Sequence, residues 1–274
     1  MNGRTDLALE CMDFAGGAGV EGAEYRRFTQ GGLACEEVRV SSPRAAERLG
    51  KPVGCYLTAD PTPFARDSGI SFQEAEDLAG CLCALLPEHC RQVLVAGLGN
   101  RSITPDAYGP QVADQILVTR HLPSSLTRQI GLDGVNPVSA VAPGVLGQTG
   151  VESAELIQAV CRLVQPQAVI VVDALACSGL ERLGRTVQMS DAGIVPGSGV
   201  HNNRRELSRN TLGVPVIGVG VPMVAEIDGG VSPLIVTPRE IDLILEHAAK
   251  LTACAINKAL QPTLSVEEIL SLTS

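Results

Sequence analysis

The chain has 274 residues, 45% of them hydrophobic, which is enough for one large α/β domain with a well-filled core. Its formal net charge of −9 speaks against nonspecific nucleic-acid binding over the whole surface. No run approaches the ~18 apolar residues of a membrane-spanning helix, and no apolar signal-peptide region opens the chain, so a soluble, cytoplasmic protein is expected. Aromatics make up only 3% and Trp is absent, so Val, Leu, Ile and Ala must fill the core. Such packing suits parallel strands covered on both faces.

Met1 to about Pro63 reads as irregular and Gly-rich, with strand-like pieces at Leu33–Val40 and Val53–Thr58. Ser71–Leu86 has helical spacing, with Ser71 as N-cap and Glu74 three residues on in a capping-box pattern. From Gln92 the chain alternates apolar strands with helices, as a βαβ series does. The strand Val93–Ala96 leads into Gly97-Leu98-Gly99-Asn100, and a helix is predicted over Gln111–His121. A second helix spans Val151–Val164, followed by strands at Ala168–Val172 and Pro215–Val221. A long helix over Pro238–Ala259 offers one face for oligomerisation, and Ser265 with Glu268 caps a last short helix.

Nine cysteines, an odd number without any CxxC pair, read as reduced and mostly buried thiols. Cys177, four residues after Asp173, is the candidate for a reactive thiol. The Gly97-Leu98-Gly99 turn lacks the dinucleotide fingerprint, because Ser102 stands where GxGxxG requires glycine and Pro105 delays the helix. It reads instead as a tight turn at a pocket floor.

Two aspartates stand out. Asp106 follows the first βαβ strand, and Asp173 ends the run AVIVVD. Ligands of open parallel sheets bind beyond the carboxyl ends of the strands, where two carboxylates could share a proton and act as acid and base. Each also has a plain structural role open to it: Asp106 as a helix N-cap, Asp173 as a turn aspartate bonding the next amides. Asp191 is a third acidic residue near the same face. The Pro196–Gly199 stretch with His201 is a Gly-rich loop that either binds substrate backbone or is a surface turn.

Several long stretches carry a family resemblance: GLGNRSITPDAYGP with Ile116–Leu122, Pro137–Ser153, Val169–Ala176, Gln188–Pro222 and the N-terminal Arg4-Thr5-Asp6-Leu7-Ala8. Together they cover most of Arg4 to Pro222. In these the chain resembles the germination proteases, endopeptidases of endospore-forming bacteria that degrade small acid-soluble spore proteins.

The resemblance implies an atypical aspartic-type endopeptidase on a three-layer α/β/α sandwich with a mostly parallel sheet, like that of the hydrogenase-maturation proteases. Residue for residue, its two catalytic aspartates fall on Asp106 and Asp173, with Gly99, Asn100, Asp191 and His201 as candidate pocket residues. It implies a zymogen that trims its own N-terminus. On that pattern the cut is Asp6–Leu7, leaving residues 1–6 as a short propeptide and 7–274 as one peptidase domain; the alternative is an ordinary frayed terminus. No cofactor or metal is implied. The partners implied are small acid-soluble spore proteins and other copies of the chain in a homotetramer, with neither direct nucleic-acid nor membrane binding. The location is the spore or forespore interior. Two other readings stay open: a metal-dependent maturation-type peptidase using His121 and His201, and a non-catalytic sporulation scaffold.

Overall fold

A computed structural model describes residues 5–66, 69–195, 205–227 and 234–273. In chain order it runs α1 (Ala8–Phe14), β1 (Ala23–Gln30), β2 (Leu33–Val40), α2 (Pro43–Leu49), β3 (Gly54–Asp60), α3 (Phe72–Cys83) and β4 (Val93–Gly97). Then follow α4 (Tyr108–Asp114), α5 (Ser124–Gln129), β5 (Val138–Val141), α6 (Leu146–Thr149), α7 (Ser153–Val164), β6 (Ala168–Cys177) and β7 (Val187–Ser190). The last elements are α8 (Arg209–Leu212), β8 (Val216–Ile227), β9 (Leu234–Val236), α9 (Ile241–Leu260) and α10 (Val266–Thr273).

One sheet unites the strands in the order β1-β2-β3-β7-β8-β6-β4-β5, with β9 pairing β8. The anticipated parallel sheet is its second half: β5 with β4, β4 with β6 and β6 with β8. The first half is antiparallel, so the sheet as a whole is mixed. Alternation along β6 explains why its sequence reads as a continuous apolar run. Ile170 and Val172 pack in the cluster with α3, α4, α9 and α10, while Val169 and Val171 pack against α7 on the opposite face. α1 and α2 cover the opposite face of the antiparallel half, against Val38, Val40 and Tyr56. Helices on both faces make the three-layer α/β/α sandwich.

Four sequence expectations shift. The first 63 residues are not irregular, since β1, β2 and β3 form a meander. β1 escaped notice because it is an edge strand in which only Ala23 is buried. Its signal was the pair Gly31-Gly32, a two-residue hairpin turn joining Gln30 to Leu33. The helix expected over Gln111–His121 is α4, which starts three residues earlier and stops at Asp114. Pro110 fits in its first turn, where no backbone N–H is needed. Beyond Gln115 the chain turns to other partners, with Leu117 N donating to Asn257 Oδ1 and Thr119 N to the Val138 carbonyl. The strand holding Asp173 does not stop there but runs to Cys177, paired with β8 across an irregularity between Leu175 and Ala176. Finally, the helix expected over Pro238–Ala259 is α9, which starts three residues later and packs into the core through Ile244, Ala248, Thr252 and Ile256 among its many buried residues.

Candidate active site

Asp106 is positioned by the turn that follows β4. Leu98 N donates to the Val172 carbonyl of β6 at 2.8 Å, which ties the turn to the neighbouring strand. Gly99 then takes φ +120°, and a Cβ there would lie 1.9 Å from the Asp106 carbonyl oxygen, so only glycine allows the approach. Asp106 closes a 3-10 turn over Thr104–Asp106 and its Oδ2 accepts from Asn100 N at 2.8 Å. The Asn100 side chain is used too: Oδ1 accepts from Ser102 N at 2.9 Å and from Gln148 Nε2 at 2.7 Å. The N-cap position of α4 is Ala107 rather than Asp106.

Asp173 is buried, 5% exposed, and its Oδ1 accepts from Ala174 N at 3.0 Å. It lies one residue past the last pair of β4 with β6, Gly97 with Val172. It therefore does stand beyond a strand end, that of β4 rather than its own. The start of α4 wedges into the same crotch: a Cβ on Gly109 would meet the Leu98 oxygen at 2.3 Å and the Val172 oxygen at 2.4 Å. Asp106 sits three residues before Gly109 and Asp173 directly after Val172, so both are held by one junction of β4, β6 and α4.

On the α7 side of the sheet, a cleft of about 260 Å³ opens among Asp6, Lys51, Tyr56, Leu175, Gln188 and Glu206. Gly218 and Gly220 of β8 floor it, and Gly220 is in register with Asp173. Tyr56 donates to the Pro52 carbonyl at 2.8 Å, and burial followed by the charge of Asp191 pushes its hydroxyl pKa up.

The remaining predicted residues fall as follows. Asp191 is exposed and absent from the cleft lining; its Oδ1 accepts from Cys55 N at 2.7 Å, fastening the end of β7 to β3. The Pro196–Gly199 stretch and His201 lie outside the described residues. His121 is exposed. Among the described residues no three of His, Cys, Asp and Glu converge in a way that could hold a metal ion. Cys177 is no reactive thiol: it is fully buried, and desolvation pushes its pKa up to about 12.

The Asp6–Leu7 bond is not in a frayed terminus. Asp6 N donates to the Ala176 carbonyl at 2.8 Å, Ala176 N donates to Asp6 Oδ2 at 2.8 Å, and Leu7 is 0% exposed against Leu175, Cys177 and Ala225. Two residues not singled out from sequence hold this segment, Lys51 and Gln188. Gln188 had a readable signal, since VQMS is a short strand whose polar residues alternate toward one face. Lys51, in a loop before a proline, had none.

Comparison with known proteins puts this α/β sandwich among the peptidases. The family described as germination protease matches residues 16–232. The germination protease of Caldanaerobacter subterraneus subsp. tengcongensis is 37% identical, over 97% of this chain and 96% of its own length. That of Clostridium tetani is 34% identical over 98% of both, and that of Halalkalibacterium halodurans 41% over 90% of this chain and 68% of its own. The chain belongs to the germination protease family. Among solved structures, a NiFe hydrogenase maturation protease, HycI, from Thermococcus kodakarensis KOD1 superposes with a TM-score of 0.42 at 21% identity. It covers 66% of this chain and 98% of its own, a likeness too distant to bear on the site.

Proposed function

We propose that Asp106 and Asp173 are the catalytic dyad of an endopeptidase that begins the digestion of small acid-soluble spore proteins during germination, inside the spore. The observation that supports this is the junction at Gly109, three residues after Asp106, where α4 abuts the backbone of Val172, the residue before Asp173. One carboxylate, ionised, would take a proton from a water that attacks the peptide carbonyl. The other, protonated, would donate to the carbonyl oxygen; the first would then pass the water's proton to the departing amine nitrogen as the C–N bond breaks, while the second regains its proton from the intermediate's hydroxyl. The two share one proton as a unit, so acid and base are roles of the pair.

The zymogen reading also belongs to the proposal. Self-cleavage at Asp6–Leu7 would first require residues 5–7 to lift from β6, because Leu7 is buried and Asp6 is hydrogen-bonded to Ala176. N-terminal sequencing before and after a shift to mildly acidic pH tests it, and an N-terminus that never advances to Leu7 contradicts it. Assembly as a homotetramer rests on the family resemblance and is read out by sedimentation.

The deciding experiment is digestion of a purified small acid-soluble spore protein by the wild type, Asp106→Asn and Asp173→Asn. Each variant should lose at least about a thousandfold in kcat, as removal of a catalytic group does. An Asn variant of either residue that still cleaves near the wild-type rate sinks the dyad. A wild type that cleaves nothing at any pH favours the scaffold reading instead.

A further inference from the structure

The segment that docks beside the cleft shows how this surface holds peptide. The Asp6 carbonyl oxygen accepts from Lys51 Nζ at 2.8 Å and from Gln188 Nε2 at 3.1 Å. Gln188 Oε1 in turn accepts the Ala8 N–H at 2.8 Å. These contacts read main chain, so they would serve any extended peptide regardless of its side chains.

Their place relative to Asp173 follows from the sheet register. Gln188 pairs with Gly220, and Gly220 pairs with Asp173. The three therefore form one row across the sheet. Their side-chain direction is shared, away from the cluster that takes Met189, Val219 and Val172. Gly220 contributes no side chain, and Leu175 leans over it, 2.5 Å from where a Cβ would be. With strands ~4.8 Å apart, Gln188 stands roughly 10 Å from Asp173, the span of about three extended residues.

We propose that Lys51 and Gln188 form a substrate subsite that grips a main-chain carbonyl about three residues from the scissile bond, and that Asp6 fills it in the resting chain. The register argument rests on Asp173 being catalytic, as read above. The ligand is defined by its chemistry, an extended peptide backbone presenting a carbonyl to an ammonium and a buried amide. Lys51 and Gln188 are positioning residues; they touch substrate away from the reacting atoms.

The test uses the full chain and a purified small acid-soluble spore protein. Steady-state digestion is compared for the wild type, Lys51→Met and Lys51→Arg. Equilibrium binding of the fluorescein-labelled spore protein is compared for Asp173→Asn with and without Lys51→Met. Loss of one charge-assisted hydrogen bond should raise KM and Kd about tenfold in Lys51→Met, with a smaller change in kcat. Lys51→Arg, which keeps a cationic donor, should recover most of the loss. KM and Kd within twofold of the parent overturn the subsite. So does a fall in both, which would make residues 5–7 a plug whose release merely opens the cleft. Persistent cleavage by Asp173→Asn refutes the dyad alone, because the Kd comparison still decides whether Lys51 holds peptide.

Discussion

Gly109 lies where α4 meets the ends of β4 and β6, and replacing it with alanine tests whether that contact sets the geometry of the site. The added Cβ would stand 2.3 Å from the Leu98 oxygen and 2.4 Å from the Val172 oxygen. Carbon–oxygen contacts normally begin near ~3.3 Å, so the helix must retreat by about 1 Å from two strands at once. Both obstacles are backbone atoms in a buried sheet and cannot rotate aside. Overpacking of this kind costs about 1–3 kcal/mol, against which alanine gains only ~0.5–1 kcal/mol over glycine in a helix. A net loss of about 1–2 kcal/mol should lower Tm by several degrees, at ~2–4 °C per kcal/mol for a chain of this size. Activity should fall further than stability, because Asp106 rides on the turn leading into α4 while Asp173 stays on β6. A displacement of ~1 Å between acting groups can cost about a hundredfold. Melting followed by circular dichroism, with digestion of a small acid-soluble spore protein well below Tm, gives both readings. An alanine variant that melts at or above the wild type and cleaves within twofold of it would refute the wedge.

Two further predictions concern the N-terminal half. Leu7→Ala empties a site that is 0% exposed among Leu175, Cys177 and Ala225, and urea unfolding should show a loss of about 2–5 kcal/mol; a loss under 1 kcal/mol would mean that the segment is not part of the cooperative core. Burial alone would raise the Glu37 carboxyl, but hydrogen bonds from Arg26 at 2.7 Å and Arg39 at 3.1 Å, with their charges, hold it below its ordinary value of 4.5. Because the folded pKa is the lower one, its contribution is complete above about pH 4.5 and drains away as pH falls through the folded value. The urea-midpoint gap between wild type and Glu37→Gln should accordingly be widest near neutrality and close in acid, and a pH-independent gap contradicts the assignment.

The parallel half of the fold was legible because burial on both faces leaves runs such as Val169–Val172 with no polar interruption. β2 was legible for a different reason, its inward Leu33 and Cys35 alternating with exposed Ala34, and its residue range was predicted to the residue. β7 carried only a weak signal, the alternation of Gln188 and Ser190, because four residues are too few to set a strand apart from a turn. The two aspartates could be picked out by their position after apolar runs, and the resemblance gave them roles. What no local pattern could supply was the grip on Asp6, because Lys51 and Gln188 lie 137 positions apart and meet only through the antiparallel half of the sheet. The bond from Cys55 N to Asp191 was equally out of reach, because it joins residues 136 positions apart at the end of β7.

The docking of residues 5–7 also sets a clock on synthesis. Their partners are Ala176, Gln188 and Ala225, so this segment is synthesised well before the strands that hold it. At ~5–20 residues per second, that interval is on the order of ten to forty seconds. Throughout it the Asp6–Leu7 bond hangs in solvent, open to any protease present. It is withdrawn only when β6, β7 and β8 have assembled. The nascent chain thus passes through a period of exposure at the very bond that the finished fold conceals, and its survival depends on how soon the sheet closes over it.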